Sequence, residues 1–152
     1  MSGAGESVDR IEREILIDAP IERVWRLVSE PGWWIGDGDR SGHTVTRDGQ
    51  LVVVDDPRYG RWPVLPVSAD APHYVSYRGG SEPDQTPGEG TSTLVEFFLT
   101  EHGGGTLLRV VESGYASLQV APDSRTAAIE ENNEGWKIQL GFAKRDAERS
   151  RV

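Results

Sequence analysis

The sequence predicts one α+β domain in which an antiparallel sheet packs against a long C-terminal helix. Its 152 residues are enough for one hydrophobic core but not for two. The predicted order of elements is strand, short helix, several strands and long helix, which differs from the regular alternation that parallel sheets require. Short β-like runs separated by Gly, Pro and Asp fill the middle of the chain and indicate an antiparallel meander.

The N-terminal end begins with a segment, 1–10, that is small and polar and is predicted to be flexible. A strand is predicted over 11–18, because three isoleucines recur there at period two. Pro20 suits a first helical position, and apolar residues follow it at helical spacing. This short amphipathic helix should end at Pro31–Gly32, just before a pair of tryptophans.

The central strands are predicted at 43–47, 50–54, 61–69 and 73–78. The following segment, 79–90, contains two prolines and four glycines and is predicted to be a long mobile loop, either a lid or slack chain.

The last hairpin is the clearest β element. Val95, Phe97 and Leu99 share one face, a glycine turn follows, and 106–115 returns as the second strand. A long helix then runs from Asp123 or Ser124 to about Arg149, with an apolar stripe of Ile129, Trp136, Leu140 and Ala143. The domain therefore covers 11–149, with a short tail at 150–152.

Composition excludes several classes of function. The chain has no cysteine, which removes disulfides, thiolate metal sites and cysteine nucleophiles. A net charge of −9 disfavours nucleic acid and anionic membranes as partners. No apolar run approaches the ~18 residues of a membrane span. The N-terminus does not read as a secretory signal, so a soluble cytoplasmic protein is expected.

Motifs for metals and cofactors are equally weak. His43, His73 and His102 are not at zinc-ligand spacing, and each is predicted to be a surface residue. Acidic residues between 37 and 48 partly match a calcium loop, but a strand rather than a helix should follow them, which favours a solvated turn. No catalytic triad, phosphate loop or dinucleotide fingerprint is present. No cofactor and no metal are predicted.

Four strings in order carry a resemblance to a known family: Ala19–Trp25, Trp33–Trp34, Gly104–Thr106 leading to Val111–Tyr115, and Glu134–Trp136. From 11 to 149 the chain resembles the START-like or SRPBCC superfamily, and within it the activator-of-heat-shock-chaperone-ATPase homologue branch. The resemblance implies a helix-grip fold, in which a curved antiparallel sheet grips the C-terminal helix, with two short helices near the start and an internal cavity. Segments 36–42 and 79–90 depart from the family pattern, so ligand entry could differ.

If the sheet grips the helix, aromatic and apolar side chains should form a ligand-binding wall. Glu112 is expected at the inner end of the apolar stripe of Leu108 and Val110, and Asn133 on the buried stripe of the helix. The alternatives are ordinary core for the apolar residues, an ion pair with Arg109 or Arg78 for Glu112, and a backbone hydrogen bond for Asn133. The predicted wall consists of Trp33, Trp34, Trp62, Val75, Tyr77, Phe97, Leu108, Glu112, Asn133, Trp136 and Leu140.

The family implies several functions, and the fold does not choose among them. The leading hypothesis is a binding protein for a small hydrophobic or aromatic molecule. An enzymatic alternative is a polyketide cyclase or dehydratase, with Glu112 or Tyr77 as the catalytic proton-transfer group. A third, suggested by the family name, is a chaperone-interacting module. The sequence does not specify a monomer or a homodimer.

Overall fold

The computed structural model describes residues 10–80, 83–88, 90–118 and 120–149. These residues form a seven-stranded antiparallel sheet with the strand order β1-β7-β6-β5-β4-β3-β2. The predicted α+β class with one antiparallel sheet is confirmed. The strands are β1 (Arg10–Ile17), β2 (Thr44–Asp48), β3 (Leu51–Asp56), β4 (Gly60–Asp70), β5 (Tyr74–Gly80), β6 (Ser92–His102) and β7 (Gly105–Ser113); the α-helices are α1 (Ile21–Val28) and α2 (Pro122–Arg149), and a 3₁₀ turn covers Tyr115–Ser117.

The sheet is a meander from β2 to β7, and β1 joins it by pairing with β7. In that pair Ile15 lies opposite Leu108, and Ile11 opposite Glu112. Because side chains alternate across a strand, this register places the inward residues of both strands beneath the helix.

The core lies between the sheet and the two helices. Helix α1 buries Ile21, Val24, Leu27 and Val28, whose spacing is that of one helix face. Helix α2 buries Trp136, Leu140, Ala143 and Ala147 at intervals of three and four residues, so its C-terminal half supplies most of its core contacts. None of the helices in the described ranges is long and apolar enough to span a bilayer.

The second short helix that the resemblance implies is absent from the described part of the chain. The stretch after α1 forms turns instead, with positive φ angles at Gly32, Gly36 and Gly38. A side chain at Gly38 would also collide with the ring of Phe142, since a Cβ there would lie 2.7 Å from it. These glycines let the turns pass close to β3 and α2.

The predicted long loop is shorter than expected. Gly79 and Gly80 belong to β5, where they pair with Thr93 and Ser92 of β6. Beyond them, the backbone N–H of Asp84 donates to the carbonyl of Arg61 at 2.7 Å, so 83–88 returns towards the β4 hairpin. Ser81, Glu82 and Glu89 lie outside the described residues, as do 1–9 and 150–152, where most of the predicted flexible N-terminus and the tail fall.

Candidate functional site

A cavity of about 350 Å³ lies between the sheet and the N-terminal half of α2, and it is partly open to solvent. The residues that face it come from the turn after α1, from β4 to β7, from the 3₁₀ turn and from α2. They fall into four groups: small residues (Gly36, Gly79, Gly80, Ala128, Gly135), aromatic residues (Trp34, Tyr59, Trp62, Tyr115, Trp136), polar residues (Thr93, Glu112, Glu131, Asn132, Gln139) and aliphatic residues (Ile35, Pro63, Val64, Val95, Leu118).

The cavity exists because small residues meet where the helix crosses the sheet. Gly79 at the end of β5 and Gly135 on α2 both face it. A Cβ added at either glycine would have no atom within 4 Å. Larger side chains at these positions would have closed the space by ordinary packing.

The aromatic side of the cavity is continuous with the core. The rings of Trp34 and Trp136 lie 5.8 Å apart between centroids, and each also contacts the buried ring of Phe97. Tilted contacts at these distances are favourable and hold each ring in a fixed orientation. A ligand would therefore meet a preformed aromatic surface.

Glu112 is the buried charged group of the site, with 7% of its surface exposed. Thr93 Oγ1 donates to Glu112 Oε2 at 2.5 Å, and Trp136 Nε1 donates to Oε1 at 2.7 Å. The alternative of an ion pair with Arg109 or Arg78 does not hold: Arg109 pairs with Glu12, and Arg78 contacts Ser92. Within the described chain, Glu112 is held by neutral donors on β6 and α2.

Tyr115 and Asn132 extend the polar end of the site. Asn132 Nδ2 donates to the Tyr115 hydroxyl at 2.8 Å, and the Tyr115 side chain is almost wholly buried. Burial, reinforced by the negative charge of Glu112, raises the pKa of Tyr115 far above its ordinary value. The hydroxyl therefore stays protonated at neutral pH.

The structure places Asn133 on a different side of α2 from the cavity. Asn133 Oδ1 accepts a hydrogen bond from Arg13 Nε of β1 at 2.7 Å. The prediction that Asn133 belongs to the cavity wall is therefore corrected, and its partner is a side chain rather than the backbone group of the alternative interpretation. Adjacent helical residues point about 100° apart, and it is Asn132 that faces the cavity.

Of the predicted wall, Trp34, Trp62, Glu112 and Trp136 line the cavity. Tyr77 does not, because its hydroxyl donates to the carbonyl of Val28 at 2.7 Å and only 1% of the residue is exposed. Burial raises the pKa of Tyr77, so the structure gives this candidate catalytic group neither access nor a readily released proton. The other predicted residues pack as core behind the wall: Trp33, Val75, Phe97, Leu108 and Leu140.

Several cavity residues were not predicted from the sequence. Thr93 shares a β6 face with Val95 and Phe97 at period two, so alternation could have identified it. The glycine at 135, next to Trp136 on the helix, could have indicated that the helix leaves open space at this position. Tyr59 and Gln139 had no such signal, because their positions depend on how the β4 hairpin and α2 approach one another.

A buried pair at the rim was also missed. His43 Nε2 lies 2.8 Å from Asp56 Oδ2, and both side chains are 6% exposed, so the surface prediction for His43 is wrong. His73 and His102 are exposed as predicted. Burial acts to raise the pKa of Asp56, but hydrogen bonds from the backbone N–H groups of Tyr59 and Arg58 and from His43 outweigh it and lower the pKa. Asp56 also lies against Gly36 of the cavity wall.

Two acidic residues of the calcium-like pattern have partners within the protein. Asp37 pairs with Arg58, and Asp39 accepts from the backbone and hydroxyl of Ser41. Across the described ranges, no three His, Asp or Glu side chains are grouped so that they could hold a metal ion.

The curved sheet, the long helix across it and the cavity between them define a START-like (SRPBCC) domain. Residues 18–141 match the family described as activator of Hsp90 ATPase homolog 1-like protein, and the chain belongs to that family. A comparison with curated proteins found no match.

Solved structures with this fold include protein MLL2253 from Mesorhizobium loti, with a TM-score of 0.69 and 18% identity over 94% of this chain and 99% of that one. The Aha1 dimer from Colwellia psychrerythraea gives a TM-score of 0.64 and 15% identity over 94% and 98% of the two chains. DynU16, encoded in the dynemicin biosynthetic locus, gives a TM-score of 0.62 and 20% identity over 90% of this chain but only 46% of its own. At these identities the likeness shows the fold alone.

Proposed function

We propose that this protein binds a small, largely apolar aromatic molecule in the cavity between the sheet and α2. The observation that carries the proposal is a preformed space of about 350 Å³, lined by three tryptophans and one buried carboxylate. Ligand sites are commonly concave and apolar, with a few polar groups that fix orientation, and begin at about 300 Å³.

The volume limits the size of the ligand. A cavity of about 150 Å³ accommodates benzene. The space here is about twice as large, which suits a molecule of about two rings. Burying ~200 Å² of apolar ligand surface at ~25 cal/mol per Å² supplies about 5 kcal/mol before association costs, so micromolar affinity needs polar contacts as well. Glu112 and Tyr115 are placed to supply them.

An acid–base enzyme is the second candidate, and the position of Glu112 is what favours it. A carboxylate that faces an apolar cavity beside a protonated tyrosine can move a proton on a bound polyketide-like substrate, as a cyclase or dehydratase requires. Glu112→Gln should then abolish turnover while aromatic ligands still bind. Unchanged turnover would exclude Glu112 as the catalytic group.

The remaining functional expectations stay predictions. A chaperone partner is suggested by the family description and would use the surface of the protein rather than the cavity. A cytoplasmic location, the choice between monomer and homodimer, and a lid function for 79–90 likewise rest on the sequence.

The direct test is to fill the cavity from the helix. Gly135→Leu places a side chain in open space inside the cavity, whereas Gly141→Leu places one in open space on an exposed part of the same helix. Both should fold, because leucine is a better helix former than glycine. A screen of two-ring aromatic compounds by thermal shift and tryptophan fluorescence should find ligands for the wild type and for Gly141→Leu.

Gly135→Leu should lose those thermal shifts while remaining folded, because binding to the native state raises the melting temperature by mass action. Equal ligand shifts in the two leucine variants would place binding outside the cavity and contradict the proposal. Trp136→Ala is a poorer test, since Trp136 is also core.

A further inference from the structure

The polar side chains of the cavity wall offer a ligand both hydrogen-bond acceptors and hydrogen-bond donors, but the charged ones are acceptors. Each carboxylate oxygen of Glu112 accepts one bond from the protein, from Thr93 or from Trp136, and an ionised carboxylate oxygen has the capacity to accept two. Four side-chain nitrogens of the wall donate within the protein: Trp62 to the Tyr59 carbonyl, Trp136 to Glu112, Asn132 to the Tyr115 hydroxyl and Gln139 to the Gly36 carbonyl. Each of the two amide nitrogens keeps a second N–H, and Trp34 Nε1 makes no hydrogen bond to the residues that the structure describes.

The charged groups of the wall are all acidic. Glu112 is buried and Glu131 is exposed on α2, and the described residues of the wall include no Lys, Arg or His. Neither glutamate forms an ion pair with any residue that the structure describes. Burying a carboxylate without a cationic partner costs free energy. A positively charged ligand would lower that cost.

The aromatic rings of the wall also favour a positively charged ligand. Trp34, Trp62 and Trp136 face the cavity with Tyr59 at its side. The faces of such rings carry partial negative charge and attract ammonium groups, and tryptophan does so most strongly. Carboxylate and rings therefore favour the same kind of ligand for separate physical reasons.

We propose that the ligand of this cavity carries a protonated amine or substituted ammonium group, packed against the tryptophan rings and neutralised by Glu112 with Glu131 nearer to solvent. This rests on the proposed function, because it names the chemical class of ligand for the same cavity. The aromatic part of the ligand supplies apolar contact, and the cation supplies selectivity against neutral and anionic compounds of equal size.

The test uses three compounds that share one ring system: naphthylmethylamine, naphthylmethanol and naphthoate. Dissociation constants are measured by calorimetry and tryptophan fluorescence on the full chain. The amine should bind about tenfold more tightly than the alcohol, and the carboxylate should bind more weakly than both. Added salt should reduce the preference for the amine, because it screens the partly open site.

Variants then identify the source of the selectivity. Glu112→Gln should remove most of the preference for the amine while the alcohol still binds, with folding checked by circular dichroism. Glu131→Gln, at an exposed position, should reduce it by about threefold at most. Glu130→Gln is the matched control, since Glu130 is exposed on the same helix but outside the cavity wall, and it should change nothing.

The outcomes separate this proposal from the one on which it rests. If the alcohol binds as tightly as the amine, the cationic ligand is excluded and the apolar cavity remains. If none of the three compounds binds, both proposals are overturned. If Glu112→Gln does not fold, the two helix variants decide. A salt-sensitive preference for the amine that falls in Glu131→Gln but not in Glu130→Gln supports the cationic ligand. A preference that is unaltered in both Glu131→Gln and Glu130→Gln contradicts it.

Discussion

The two ends of the interface between α2 and the sheet are built in opposite ways. Towards the C-terminal end of α2, Leu140, Ala143 and Ala147 are buried where the helix packs on β1 and α1. Towards its N-terminal end, Ala128 and Gly135 face a cavity, and no described residue of α2 before Trp136 is buried. Trp136 marks the boundary, since its ring packs on Phe97 and its N–H donates to Glu112.

This difference shows how one helix can stabilise a fold and leave room for a ligand. The packed end contributes apolar burial, which is the dominant favourable term in folding. The open end gives up some of that burial and carries polar groups instead. Substitutions at the two ends should therefore separate stability from binding.

The largest effect is expected at the packed end. Leu140→Ala removes a side chain that is 2% exposed and should lower the free energy of unfolding by about 2–5 kcal/mol. Ile138→Ala on the same helix is the control, since Ile138 is 52% exposed and its loss should change stability by no more than about 0.5 kcal/mol. Urea denaturation measures both. Similar losses in the two variants would contradict the packing of Leu140 into the core at this end of the helix.

A smaller effect on stability is expected at Asp56, which lies next to Gly36 of the cavity wall. Because the folded-state pKa of Asp56 is lowered, its carboxylate contributes stability above the unfolded value of about 3.8, and this is lost as the pH falls through the folded value. Asp56→Asn should cost about 2–3 kcal/mol at neutral pH and flatten the acid limb of the stability profile. Denaturation from about pH 7 to about pH 2 tests this, and an unchanged acid limb would contradict it.

The packed end could be predicted from the sequence more readily than the open end. The isoleucines of β1 and the stripe of Trp136, Leu140 and Ala143 have clear periods of two and of three to four residues, so strand and helix followed from local patterns. The turns after α1 did not, because the path there depends on contacts of Gly36 and Gly38 with Asp56 and Phe142, far away in sequence.

The cavity was harder to predict, because a space between elements does not produce a periodic pattern of apolar residues in the sequence. Aromatic residues predicted as wall are divided between wall and core, and only the packing of α2 on the sheet decides between them. Phe97 and Trp33 became core, while Trp34 and Trp62 reached the cavity. Glu112 was identified by alternation, but its partners on β6 and α2 required the strand register.

A further effect is expected at the polar side of the open end. Thr93→Val keeps the shape of the side chain but removes the hydroxyl that donates to Glu112. It should lower stability by about 1–2 kcal/mol, because a buried carboxylate oxygen loses its partner. Thr100→Val, on the exposed end of the same strand, is the control and should be close to neutral. Equal effects would show that the Thr93 hydrogen bond contributes nothing specific.

The smallest effect is the sharpest test of the open end. Gly135→Ala and Gly141→Ala add the same methyl group to the same helix, and neither Cβ would meet an atom within 4 Å. Each should raise the free energy of unfolding by about 0.5–1 kcal/mol, because glycine is a poor helix former. Only Gly135 faces the cavity, so only Gly135→Ala should also weaken binding of a ligand that fills it. A destabilising Gly135→Ala would mean that the cavity is closed in solution, and equal affinities in the two variants would mean that ligands avoid this part of the helix.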